Sequence, residues 1–108
     1  MIKHPTKQSL SPNQRRLVEV MQQVNFGRIE GLHVADGQPV FDPPPRLIRD
    51  FRIGKNNAPH PALERADFVL KEEVRELFDL MAQQPHACIE TLVVQDGLPV
   101  RMSVCNAT

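Results

Sequence analysis

Arg46, Arg49, Arg52 and Lys55 fall within ten positions and face one acid, Asp50. Guanidinium groups along an extended segment can meet phosphates or an acidic partner surface through paired, charge-assisted hydrogen bonds. The same charges on an edge strand also block sheet-to-sheet aggregation. Only Phe51 alternates with them, so the pattern gives poor support to a base-stacking platform. A second group of candidate residues is His86, Cys88 and Glu90, with Cys105 further on. His86-x-Cys88 plus Cys105 supplies at most three zinc ligands without CxxC spacing, a weak metal signal. The two cysteines also read as small apolar side chains. Glu30 and Glu90 invite a reading as paired carboxylates for acid–base work, but strand-end glutamates are usually solvated.

Enzymatic chemistry needs more than this. No GxSxG, HExxH, phosphate-binding glycine loop or dinucleotide fingerprint is present. His4, His33, His60 and His86 are scattered. A nucleophilic Cys88 or Cys105 would need a base and an oxyanion hole, and no motif marks either. The expectation is a non-enzyme with no catalytic residue, no metal and no cofactor.

These residues sit in a chain of 108 residues and 12.2 kDa, the size of one domain. With no Trp or Tyr, the core must rest on aliphatic residues, Met and five Phe. Thirteen basic residues offset thirteen acidic ones, which argues against retention on nucleic acid by bulk charge. No apolar run approaches the ~20 residues of a membrane span. The N-terminus (Met1-Ile2-Lys3-His4-Pro5) lacks the apolar stretch of a secretory signal. The expected location is the reducing cytoplasm.

The elements that would position the candidate residues come from self-similarity. Segment 17–40 reads LVEVMQQVNFGRIEGLHVADGQPV, and segment 77–100 reads LFDLMAQQPHACIETLVVQDGLPV. Leu17, Met21, Gln23, Ile29, Glu30, Leu32, Val34, Asp36, Gly37, Pro39 and Val40 all recur sixty positions later without a gap, and so does Arg15. This pattern predicts a duplicated supersecondary unit.

Each unit opens with a helix. Ser11-Pro12-Asn13-Gln14 holds an N-cap, a proline for the first helical position and a capping-box partner. Leu17, Val20, Met21 and Val24 make one apolar stripe, and Asn25 or Gly27 can take the left-handed residue that ends it. In the second unit Glu72 and Glu73 suit the first turn, Val74, Leu77, Phe78 and Met81 make the stripe, and Pro85 forbids continuation. A hairpin follows each helix, at Asp36-Gly37 and Asp96-Gly97.

Two registers compete. A two-residue turn pairs Cys88 with Cys105 but gives the first hairpin a poor core face. A three-residue loop pairs Leu32 with Val40 and Leu92 with Val100. It places Leu32, Val34 and Val40 on one face, and Leu92, Val94, Leu98, Val100, Met102 and Val104 on its counterpart. The second register is preferred. Ile29 and Ile89 then fall out of phase, and a bulge near Glu30 and Glu90 would restore them. The opposite face is expected to carry Ile29, His33, Ile89, Val93 and Arg101, apolar enough for a partner or a second copy.

Between the units, Phe41-Asp42-Pro43-Pro44-Pro45 is stiff and cannot donate to a ladder. Residues 46–53 alternate well enough for an edge strand, with Leu47, Phe51 and Ile53 on one face. Residues 54–61 read as loop, and Phe68-Val69-Leu70 as a short extended lead-in to the second helix.

The unit of amphipathic helix, strand, Asp-Gly and strand, carried by Phe26-Gly27-Arg28-Ile29-Glu30 and Val34-Ala35-Asp36-Gly37, resembles the small uncharacterised bacterial YezD-like proteins. The resemblance implies a bacterial origin and the helix–hairpin unit, and no site residue.

The expected fold is α+β and a single domain over 1–108: repeat 1 at 11–41, a connector at 42–70 and repeat 2 at 71–105. Two αββ repeats form a four-stranded antiparallel sheet with both helices on one face, and the connector can add an edge strand. The expected function is an interaction or regulatory module that binds a protein partner or self-associates through the open sheet face or its edge. The alternatives are nucleic-acid binding through Arg46, Arg49, Arg52 and Lys55, and a small-ligand or metal site near His86, Cys88 and Glu90.

Overall fold

The computed structural model describes residues 6–65, 67–84 and 86–105. Its elements in chain order are α1 (Pro12–Val24), β1 (Gly27–Ala35), β2 (Gln38–Val40), β3 (Arg46–Arg49), α2 (Glu72–Gln83), β4 (His86–Gln95) and β5 (Leu98–Cys105). Short 3-10 turns occupy Lys7–Ser9 and Pro61–Glu64. The fold class is α+β, and the described residues form two helices and a five-stranded antiparallel sheet.

α1 begins as its sequence requires. The Gln14 backbone N–H donates to Ser11 Oγ at 3.2 Å, and the Ser11 N–H donates to Gln14 Oε1 at 3.0 Å. Asn25 closes the helix at φ 62°. Leu17, Met21 and Val24 are buried as a stripe, joined by Val18, while Val20 packs at the margin. In α2 Val74, Leu77, Phe78 and Met81 are all buried. That helix ends at Gln83, and the stop assigned to Pro85 lies outside the described residues.

The sheet runs β2-β1-β4-β5, and β3 pairs with the first half of β1 in line with β2. β1 and β4 are the central antiparallel pair. Their ladder maps onto itself under a shift of sixty: Gly27 faces Val94, and Val34 faces Ala87. The axis of that correspondence falls between Glu30 and Gly31 on β1 and between Glu90 and Thr91 on β4. Each helix also reaches the other unit's turn. Gly37 lies against Ala82 of α2, and the Gly97 N–H donates to the Asn25 carbonyl at 3.0 Å.

The preferred hairpin register is overturned. Ala35 pairs with Gln38 and Gln95 with Leu98, so both turns have two residues. Asp36 and Gly37 sit at φ 53° and 73°, and Asp96 and Gly97 at 54° and 71°. Two successive left-handed residues make the type I′ turn, whose twist suits the flanking strands. Pro39 and Pro99 follow at the next pair, which is not hydrogen-bonded, so a missing N–H costs the ladder nothing. Val40 therefore faces exposed His33 rather than Leu32, and Val100 is displaced outward as an extra residue on β5.

Phase is restored within the strands instead of at the turns. A register shift sits between Ile89 and Thr91, and Gly31 takes φ 72° on the facing strand. The bulge expected near Glu30 and Glu90 is where it was placed. Its effect is to bring Ile29, Leu32 and Val34 to one face with Ile89, Leu92 and Val94, all 4 % exposed or less. Ile29 and Ile89 consequently line the core, not the open face. The open face is polar: by register its rows run Ile48–Arg28–Val93–Arg101, then Arg46–Glu30–Thr91–Ser103, then Val40–His33–Cys88–Cys105.

The connector strand is shorter than expected. β3 stops at Arg49 because β1 has no residue before Gly27 to pair with; Asp50 N–H makes one last bond to the Phe26 carbonyl at 2.8 Å. Phe51 and Ile53 are left 61 % and 95 % exposed. Val69 and Leu70 lead into α2, and Val69 bridges to Thr6. The Gln8 N–H beside Asp67 holds that carboxyl below its ordinary value. Nearby Lys7 is 4 % exposed, and its Nζ donates to the Arg65 carbonyl at 3.0 Å.

Candidate functional site

The four basic connector residues do not converge. Arg46 lies 3.8 Å from Glu30, which also holds Arg28 at 3.0 Å. Arg49 donates to the Asn57 carbonyl and stacks on Phe51, 4.9 Å from its centroid. Arg52 stacks on Phe26 at 4.4 Å and donates to the Asn56 carbonyl at 3.3 Å. Asn57 closes the loop from within, donating to the Arg52 and Lys55 carbonyls at 3.1 and 3.0 Å. Arg49 and Arg52 thus fold residues 50–58 against the end of α1. Lys55 projects from the loop, and its ammonium has no ion-pair partner among the described residues.

The His86, Cys88 and Glu90 group is spread along β4. His86 is exposed, with Nε2 3.8 Å from Asp36 Oδ1. Cys88 is half-buried on the open face, and Glu90 is exposed at the bulge. Among the described residues no three His, Cys, Asp or Glu are placed to hold a metal ion. Glu30, held by two arginines, acts as the centre of a charge cluster rather than as half of a carboxylate pair.

Two concavities were not visible as motifs. One is a groove of about 310 Å³ between α2 and the free edge strand β5. Leu77, Leu80, Leu92, Pro99, Val100 and Met102 supply its apolar wall, and Glu73, Glu76 and Arg101 its rim. Leu80 is 38 % and Val100 52 % exposed. Only the register error hid this site: Val100 reads as core until the bulge turns it out. The other is a cleft of about 180 Å³ where Val18, Gln22, His60, Phe68 and Leu98 meet. Gln22 is 5 % exposed, and its Oε1 has no hydrogen-bond partner among the described residues. A buried, unpaired acceptor costs about 1–3 kcal/mol. Gln22→Met keeps the length and removes the acceptor. It is expected to raise stability by about 1 kcal/mol, read as a higher urea midpoint at constant slope.

The fold and its surface define a two-layer α+β domain with a polar open face, one long free edge and an apolar groove beside that edge. A search of known family models finds no match, and neither the curated proteins nor the solved structures yield a significant one. No helix among the described residues is long and apolar enough to cross a membrane.

Proposed function

We propose that the protein is a non-enzymatic interaction module that self-associates. The acceptor is the β5 edge with its groove, and the occupant is the tip of the connector of a second copy. One observation carries this reading: charge and apolar exposure are segregated in a chain of zero net charge. α2 holds Glu72, Glu73, Glu76 and Asp79 against Arg75, a net of three negative charges. Residues 46–55 hold Arg46, Arg49, Arg52 and Lys55 against Asp50, a net of three positive charges. Exposed apolar residues accompany each charged element, Leu80 of α2 beside Val100 of β5 in the first case and Phe51 with Ile53 in the second. Opposite potentials steer two copies together, and burying the apolar residues would hold them. The neutral whole adds no net repulsion.

The edge is a better acceptor than the open face, whose middle row carries arginine, glutamate, threonine and serine. The β2/β3 edge is interrupted by the Phe41–Pro45 segment, whereas β5 is one strand over Leu98–Cys105 with a single extra residue at Val100. Nucleic-acid binding is the second reading. The commitment of Arg49 and Arg52 to their own loop weighs against it. A cytoplasmic location is part of the same proposal of self-association, and two unpaired thiols fit it.

Sedimentation velocity on the full chain tests the reading. The expected result is concentration-dependent association at ~50 mM salt that weakens at ~500 mM, where screening shortens the reach of the charges. Leu80→Asp and Ile53→Asp, both at exposed positions, are each expected to give a folded monomer. A wild-type monomer at every concentration, or salt-dependent retention on RNA lost in Arg46→Glu/Lys55→Glu, would overturn it.

A further inference from the structure

Cys88 and Cys105 are direct cross-strand partners on β4 and β5, and both are free thiols. The two-residue turn sets this alignment, and two irregularities that cancel preserve it. An extra residue on β4 near Glu90 shifts the register one way, and an extra residue on β5 at Val100 shifts it back. With only one of them, Cys88 would lie opposite a neighbouring position. Directly opposed residues of an antiparallel pair point to the same face, with Cα atoms about 4.5–5.5 Å apart. That spacing falls inside the range of about 4.4–6.8 Å that a disulfide spans. The face is the open one, where no helix covers the sulfurs. Cys105 is exposed on the free edge strand and Cys88 is half-buried beside it, so the two differ in access. An exposed thiol that meets the reagent and a sheltered one that resolves it are the two parts a reversible dithiol needs.

We infer that Cys88 and Cys105 form a dithiol site that takes low-molecular-weight disulfides and closes reversibly into a cross-strand disulfide. The Cys105 thiolate attacks one sulfur of the small disulfide, forming a mixed disulfide and expelling one small thiolate. The Cys88 thiolate then attacks the Cys105 sulfur, closing the protein disulfide and expelling the second. Two cysteine thiols are oxidised, one small disulfide is reduced to two thiols, and the two cysteine protons end on the released thiols. The reverse sequence reopens the site. The inference does not rest on self-association: Cys105 ends the strand proposed as the acceptor edge, but closing the disulfide uses only residues of one chain.

The experiment equilibrates the full chain with oxidised and reduced glutathione at several ratios, quenches with acid, and reads intact mass and proteolytic peptides. The expected product under excess oxidised glutathione is a monomer lighter by one pair of hydrogen atoms, with Cys88 and Cys105 in one linked peptide. Both thiols should disappear together and return together under reduced glutathione. Cys88→Ser is expected to stop at the first step, holding a stable glutathione adduct on Cys105. Accumulation of that same adduct on the wild-type chain would overturn the inference. So would a product linked only between two chains, because either result means that Cys88 does not reach Cys105.

Discussion

Leu32→Ala is expected to lower the free energy of unfolding by about 2–5 kcal/mol, a large share of the ~5–15 kcal/mol that holds a domain together. Leu32 is 0 % exposed, faces Ile89 across the central ladder and belongs to the one buried cluster that residues of both helices join. Truncation removes its transfer free energy and leaves a cavity that close-packed neighbours fill only in part. Leu92→Ala removes the same atoms at the position sixty residues on, also 0 % exposed. It should cost less, because Leu92 lines the groove beside β5 and the space left behind opens toward solvent and the part-exposed side chains of Leu80 and Met102. Urea unfolding of both variants measures this, with the midpoint falling further for Leu32→Ala and the slope unchanged. Equal losses would mean that the groove gives Leu92 no freedom to relax. A loss under about 1 kcal/mol for Leu32→Ala would contradict its placement in the core.

The comparison of these two leucines shows what was legible in the sequence. Helical periodicity placed Leu17, Met21, Leu77 and Met81 correctly, because a stripe needs only local spacing. The capping box at Ser11 and the Asp-Gly turns are equally local. Hairpin register is not. It depends on where a strand spends an extra residue, and the apolar pattern admits two solutions. One keeps Val40 and Val100 in phase with Leu32 and Leu92; the other sacrifices them and bends the strands near Glu90 and Val100. The turn decides, because Asp-Gly satisfies a two-residue type I′ geometry at both hairpins, and the faces adjust. The turn, with the bulge at Val100, exposed that residue at the groove, while the bulge near Glu30 and Glu90 moved Ile29 and Ile89 into the core and left the open face polar. The pairing of Cys88 with Cys105 was visible as one option and could not be chosen, since it is the sum of two shifts that cancel. The arginines were visible as a cluster. Their stacking on Phe26 and Phe51 was not, because it depends on how the loop folds back on α1. Burial of Gln22 was hidden for a related reason: it faces the 60–70 segment, whose path carries little periodicity.

Gly27→Ala is expected to detach β3 while leaving both helices and both hairpins in place. Gly27 opens β1 at φ 153°, a region that residues with a side chain rarely enter. A Cβ at this position would sit within contact distance of the Ile48 carbonyl oxygen and 3.0 Å from Arg49 Cα. Both obstacles are backbone, so no rotamer change relieves them. The strain and the overlap together amount to about 2–5 kcal/mol. The chain can avoid that cost by releasing four ladder pairs, Gly27 with Arg49 through Glu30 with Arg46. Release also frees the Asp50 bond to Phe26 and the stack of Arg52 on Phe26. The expected signature is local. Amides of residues 46–50 should lose hydrogen-exchange protection, and trypsin should cut at Arg46, Arg49, Arg52 or Lys55 far faster than in the wild type. Amides of β4 and β5 should keep their protection, since their pairing with each other does not pass through Gly27. Loss of protection across the whole sheet would mean that β3 is part of the cooperative core instead of a strap laid along its edge. Unchanged protection at 46–50 would mean that the close approach of Ile48 to Gly27 is not what docks the strand.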